Sequence, residues 1–364
     1  MSKQLLWITE HYPPGRGGMA TSCQRQVREL RQAGHTVDVV VLGSAAFETL
    51  PRDNGVDFLI PPDTEDGLAV NLAFAQLRPP YDAAVGFGAS GAGYYAVTFA
   101  AWLGCPSVVL VRGNDLDRDW FHPAKSAWVQ EAFARAAAIG AVTPQKVDRI
   151  RRLYPGKPVE WTPNSVDVAR WEPLPADLRR REEIRGLLRV SGGAKVIGLF
   201  GELKAKKRIP WWLEAVRDRG VLERIRLLIV GTVDLPTAMI LEDAAIAPRS
   251  LRLPFAAAEE LPGLYRACDF VAIPSLFEGM PNVLLEAMAC GVVPILSDAS
   301  IPIGEAGFLF PAEDRVAAGE ATARALEHPD WPGLSAKAQR FVRETFSAER
   351  EREALLDLLR LAGA

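Results

Sequence analysis

Two glutamates with seven residues between them, Glu278 and Glu286, sit in the run DFVAIPSLFEGMPNVLLEAMACGVVPILSD, residues 269–298. The run opens with an apolar segment, Phe270 to Ile273, that ends at Pro274; a loop follows, then an apolar segment from Val283 to Ala289 that stops at Gly291, then a second short apolar run. That is strand, loop, helix, strand, the unit of a parallel sheet. Ligands of open α/β sheets collect outside the carboxyl ends of strands and at helix N-termini. Glu278 lies at the strand end and Glu286 in the first turns of the helix, so both carboxylates can face one cleft. A glutamate is also unusual in so apolar a helix. The blander alternative makes Glu278 a solvated loop residue favouring the helix dipole, and Glu286 a member of a local ion pair.

The whole stretch resembles the donor-site signature of retaining GT-B glycosyltransferases of family GT4, on Pro274, Ser275, Glu278, Gly279, Pro281, Asn282, Glu286, Ala287, Gly291, Pro294 and Asp298. The resemblance implies that Glu278 approaches the donor sugar hydroxyls, that Glu286 takes the ribose hydroxyls of the nucleotide, and that the turn Gly279, Met280, Pro281 and Asn282 belongs to the donor site.

A second charged stretch, GELKAKKRIPWWLEAV, follows the strand ending near Gly201. The family commonly shows Gly-Arg and then Lys-Gly here, with the Arg and Lys on the donor diphosphate. Gly201 and Lys207 match; Glu202 stands where Arg is usual, and Arg208 where Gly is usual. A glutamate beside a diphosphate is repulsive unless paired, so Lys204, Lys206 or Arg208 is expected to supply the missing charge. An ordinary lysine-rich loop is the alternative. Near the start of the chain, Gly17 and Gly18 lie between a first strand, Leu5 to Thr9, and a helix over residues 21–33. Glycines at such a junction permit close backbone approach to a phosphate or sugar. The family carries Gly-Gly here, followed by a Gly-His-x-Val strand start that Gly34, His35 and Val37 match.

Gly86, Gly88 and Gly91 spell G-x-G-x-x-G, but after a later strand, and a lone fingerprint of this kind is weak. A glycine-lined loop on the acceptor side, with Gly88 in it, explains the pattern as well. The strand from Ser107 to Val111 runs into RGNDLDRDWFH. Many GT4 enzymes have a histidine just after this strand. Here Arg112, Gly113, Asn114 and Asp115 stand instead, and His122 is several residues on. Arg112 is placed on the acceptor side, and Asn114 and Asp115 join Glu278 and Lys207 as candidate catalytic groups. Asp115-x-Asp117 also suggests a metal motif; a solvated loop is the preferred reading, and no metal is expected.

The elements that position these groups alternate strand and helix through two halves, an α/β pattern. The resemblance covers nearly the whole chain and implies GT-B: two Rossmann-like domains facing a central cleft. Residues 1–167 form the acceptor-side domain, residues 168–346 the donor domain, and residues 347–364 a final amphipathic helix expected to pack back on the first. The proline-rich WEPLPADL looks like a linker, and a helix is expected from Leu241 to Ala245. A basic helix carries Lys146, Arg149, Arg151 and Arg152; it reads as a solvated face or as a surface for an anionic acceptor or lipid.

The chain's 364 residues allow two cores, and 49% hydrophobic with 24% charged residues is an ordinary globular balance. A net charge of −3 argues against nucleic acid. Cys23, Cys105, Cys268 and Cys290 share no metal-ligand spacing and read as reduced core residues. With no leader-like start and no apolar run long enough for a membrane span, a cytoplasmic location is expected, with peripheral contact at the inner membrane face left open. The expected function is a retaining transfer from a nucleotide-diphosphate sugar to a hydroxyl of a glycan, lipid-linked or small-molecule acceptor, with no cofactor beyond that co-substrate. The rivals are a non-hydrolysing nucleotide-sugar epimerase and a non-catalytic nucleotide-sugar-binding protein.

Overall fold

The computed structural model describes residues 2–15, 17–44, 47–61 and 68–364. The chain divides into two compact units, Met1–Asn164 with Ala348–Ala364, and Ser165–Ser347.

Unit 1 is built on eight strands: β1 (Gln4–Thr9), β2 (Thr36–Leu42), β3 (Glu48–Arg52), β4 (Gly55–Ile60), β5 (Ala83–Phe87), β6 (Ser107–Val111), β7 (Ala138–Ala141) and β8 (Val159–Trp161). Their order is β3-β4-β2-β1-β5-β6-β7-β8, and every pairing is parallel except the β3–β4 hairpin. Continuous apolar runs such as SVVLV are what a strand covered on both faces needs. In β1 the pleat sends Leu5 and Trp7 to one face, against Cys23, Val27 and Leu30 of the helix Gly18–Gln32 and Leu355, Leu358 and Leu359 of the C-terminal helix Ala348–Leu361. Leu6 and Ile8 go to the other face, against Ala92, Ala96 and Phe99 of the helix Gly91–Leu103.

Unit 2 has six strands, all parallel: β9 (Lys195–Phe200), β10 (Ile225–Val230), β11 (Ser250–Leu253), β12 (Phe270–Ile273), β13 (Val293–Ser297) and β14 (Phe308–Phe310), in the order β11-β10-β9-β12-β13-β14. Its core sets Ile197, Leu227, Phe270 and Ile295 against Trp212, Leu213, Ala318 and Ala321. The buried indole of Trp212 donates to Thr322 Oγ1 at 3.2 Å.

Two local expectations change. The helix read at Leu241–Ala245 instead spans Leu235–Leu241, because Asp234 caps it by accepting from the Thr237 N–H at 3.0 Å and Pro236 falls in its first turn. The expected linker WEPLPADL runs directly into a helix, Pro175–Leu187, where the Asp177 carboxylate accepts from the Leu174 N–H at 2.8 Å. No described helix is long and apolar enough to cross a membrane.

Candidate functional site

In unit 2 the chain goes from β9 outward to β10 and β11, then returns to β12 on the other side of β9. The order therefore reverses between β9 and β12, and the crevice outside their carboxyl ends is where such sheets hold ligands. Two loops leave that edge, one after Phe200 and one after Ile273. They are joined by a backbone bond from Leu276 N–H to the Lys206 carbonyl at 2.9 Å.

This adjacency brings Lys207 to Glu278 across 71 residues of sequence. The Lys207 ammonium donates to the Glu278 carboxylate, Ser275 Oγ donates to Oε1 at 3.3 Å, and the Lys206 ammonium lies at 3.9 Å. The Ser275 carbonyl in turn accepts from Ser297 Oγ at 2.6 Å, which ties the loop to the end of β13. The Glu278 side chain is only 9% exposed, so it is not a solvated loop residue. Burial by itself would push its carboxyl up. The charges of Lys207 and Lys206 and the hydrogen bonds from Lys207 and Ser275 outweigh burial and hold it below the usual carboxylate range.

Gly279 and Met280 are buried, and Pro281 and Asn282 are half-buried, in the turn that feeds the helix Asn282–Ala289. Pro281 at the N-cap offers no side-chain cap to that helix start. Glu286 lies in the second turn, half-buried, and its Oε2 accepts the Tyr265 hydroxyl at 2.8 Å.

The lysine loop resolves the departures at positions 202 and 208. Glu202 is exposed and pairs with Lys204 at 2.5 Å, so its charge is met locally. Arg208 has φ +50°, in the left-handed region that glycine occupies without strain, which accounts for glycine being usual at this position. Here the arginine is held by its own contacts: Nε donates to the Pro274 carbonyl at 3.2 Å, Nη2 to the Ala312 carbonyl, and the guanidinium lies 4.0 Å from the Trp211 ring centre. Arg208 is thus committed to structure, and the second charge beside Glu278 comes from Lys206.

In unit 1 the order reverses between β1 and β5. Gly17, at φ +109°, precedes the helix that begins at Gly18, and among the described residues beyond its chain neighbours nothing lies within 4 Å of where a Cβ would stand. Gly88, at φ +114°, follows β5. The neighbouring Gly86 faces the helix Gly91–Leu103 so closely that a Cβ would come within 2.7 Å of Gly93 Cα, so this glycine pattern is one of close packing.

The loop after β6 differs from its sequence reading. Asp115 Oδ1 accepts from the Ala89 N–H at 2.8 Å, and Oδ2 from Arg112 N–H at 2.6 Å and Gly113 N–H at 3.2 Å. Asp115 is a clamp between two strand ends, not an unengaged acid. Arg112 is buried; it donates to Asn164 Oδ1, lies 4.7 Å from the Phe87 ring centre, and its Nε and Nη1 have no hydrogen-bond partner among the described residues. Burial lowers its pKa to about 10. Asn114 alone of the three is exposed, at the start of a single helical turn. Asp117 pairs with Lys146 at 2.6 Å and Arg149 at 3.4 Å, away from the partners of Asp115. Among the described residues no cluster of His, Cys, Asp and Glu could hold a metal ion.

These two units, with a lysine and a carboxylate meeting at the switch point of the second, have the architecture of GT-B glycosyltransferases. HepE of Anabaena, solved with UDP and glucose, superposes with TM-score 0.75 over 98% of this chain and 99% of its own at 17% identity. The catalytic domain of starch synthase IV from Arabidopsis thaliana, bound to ADP and acarbose, gives 0.77 over the full length of both at 14% identity. The family model described as Glycosyltransferase Family 4 matches residues 16–170, and the one described as Glycosyl transferases group 1 matches residues 194–328. The chain belongs to the family 4 glycosyltransferases. Among curated relatives, a D-inositol 3-phosphate glycosyltransferase of Saccharomonospora viridis is 29% identical over 265 residues, 65% of this chain and 58% of the relative. One from Rhodococcus opacus is 27% identical over 66% and 56%. The chain thus matches a little over half the length of these relatives.

Proposed function

We propose that this chain moves a sugar from a nucleoside-diphosphate sugar to a hydroxyl acceptor with retention of anomeric configuration. The observation that supports this most is the meeting of Lys207 and Glu278 outside β9 and β12, beside the start of the helix Asn282–Ala289. A departing diphosphate suits the lysine and the helix amides. A carboxylate held below its usual pKa is ionised at neutral pH and suits sugar hydroxyls and the positive charge that develops at the anomeric carbon. Glu286 suits the two ribose hydroxyls. Because Lys207 and Lys206 supply the positive charge, no metal is assigned to the diphosphate.

The relatives' names put a phosphorylated inositol first among small-molecule acceptors. A cytoplasmic location, with peripheral contact at a membrane where the acceptor is lipid-linked, and a part in polysaccharide biosynthesis belong to the same proposal. The test is release of nucleoside diphosphate from UDP-, ADP- and GDP-glucose with and without an acceptor panel headed by inositol 3-phosphate. Acceptor-dependent release that survives EDTA is expected. An epimerised sugar formed without acceptor, or binding with no release across the panel, would overturn the reading.

A further inference from the structure

We infer that Tyr265 is the residue that aims Glu286, and that the pair sets a preference for ribose over deoxyribose in the nucleotide. The inference rests on the donor reading above and extends it to a side chain outside the Glu-x7-Glu run.

The hydroxyl of Tyr265 donates to Glu286 Oε2 at 2.8 Å across 21 residues of sequence. The phenol ring cannot swing away from that bond. It is 1% exposed, lies 4.4 Å from the Phe200 ring centre, and meets Trp171 edge-on at 5.6 Å. Phe200 is the last residue of β9, the strand whose following loop carries Lys207, so one aromatic contact links both halves of the site. The next residue reaches the end of the same helix: Arg266 donates to Cys290 Sγ at 2.9 Å and to the Trp171 carbonyl. The helices Leu261–Ala267 and Asn282–Ala289 are therefore cross-linked at Glu286 and just beyond its end.

A carboxylate has about four lone-pair directions and no donors. One, on Oε2, is filled by the tyrosine, which selects a rotamer. A vicinal diol needs two acceptor directions at a defined angle, so a carboxylate that rotates freely discriminates poorly between a diol and a single hydroxyl. Burial, reinforced by the Glu286 charge, pushes the phenol well above its ordinary value, so it stays a donor through the working pH range.

The test is titration calorimetry of the wild-type chain and Tyr265→Phe with UDP, ADP and GDP and the 2′-deoxy form of each. Phenylalanine keeps the ring contacts and removes only the hydroxyl. For whichever ribonucleotide binds, the wild type is expected to prefer it over the deoxy form by about tenfold or more, the loss of a charged hydrogen bond. Tyr265→Phe is expected to weaken the ribonucleotide roughly tenfold and the deoxynucleotide less than about twofold, which closes the gap. An equal loss for both forms would make Tyr265 structural only and overturn the inference, as would no change in either. Equal wild-type affinity for ribo and deoxy forms would remove ribose from Glu286 while leaving the donor reading standing. Binding of none of the six would overturn the donor reading, and this inference with it.

Discussion

At the scale of single residues, the Lys207–Glu278 pair sets two proposed roles against each other: the cation suited to a diphosphate is held by the carboxylate suited to the sugar. An incoming donor has to take Lys207 from Glu278. Glu278→Gln is therefore expected to cut turnover by roughly 10²–10³, the usual cost of a preorganised electrostatic contact. The same change is expected to tighten binding of the sugarless nucleoside diphosphate several-fold, about 1 kcal/mol, because Lys207 is released and a negative charge leaves. Calorimetry on Glu278→Gln, with and without Lys207→Met, checks this; tightening as large without Lys207 as with it would argue against the hand-over. The pair also predicts an acid-side loss of stability. The folded pKa of Glu278 lies below its ordinary value of 4.5, so the unfolded chain binds the proton first as pH falls. The contribution is full above that value and is lost as pH drops through the lowered folded pKa. Urea midpoints between pH 3 and 7 should fall more steeply for the wild type than for Glu278→Gln.

At the scale of elements, loops at the carboxyl ends of strands are held by side chains that the sequence offers as chemistry. Asp115 gathers three backbone N–H groups from two strand ends, and Arg208 closes its loop onto Pro274 and Ala312. Asp115→Ala leaves buried donors unsatisfied and is expected to cost about 2–4 kcal/mol of stability. Denaturant unfolding measures it. A variant of wild-type stability and reduced turnover would favour a catalytic role for Asp115 over a structural one.

At the scale of the molecule, the last helix follows unit 2 in sequence but completes the core of unit 1. Its polar anchor is Glu351, 3% exposed, which takes Arg25 Nε at 2.8 Å, Nη2 at 3.0 Å and Gln26 Nε2 at 2.9 Å. Removing one partner of a buried pair strands the other, so Glu351→Ala is expected to cost about 3–5 kcal/mol. Hydrogen exchange should show the loss in β1 and β2, with β9 and β12 protected as before. Equal loss in both sheets would mean that the units do not unfold separately.

The local content of the chain determined most of its elements and marked Glu278 and Glu286 as candidates. Unbroken apolar runs mark buried parallel strands wherever they occur, and Glu278 and Glu286 stand out because charge is costly in such surroundings. The β3–β4 hairpin escaped that logic: ETLPR is an exposed edge strand containing a proline, so burial imposes little pattern on it. Partners were decided only by the tertiary structure. Lys207 meets Glu278 because β12 returns to the side of β9; Tyr265 reaches Glu286 because two helices pack; Arg112 is buried because its side chain turns onto Phe87 and Asn164. Residue type and local periodicity are properties of a few neighbouring positions. Strand order and side-chain direction depend on contacts across tens of residues, and no short stretch of sequence contains them.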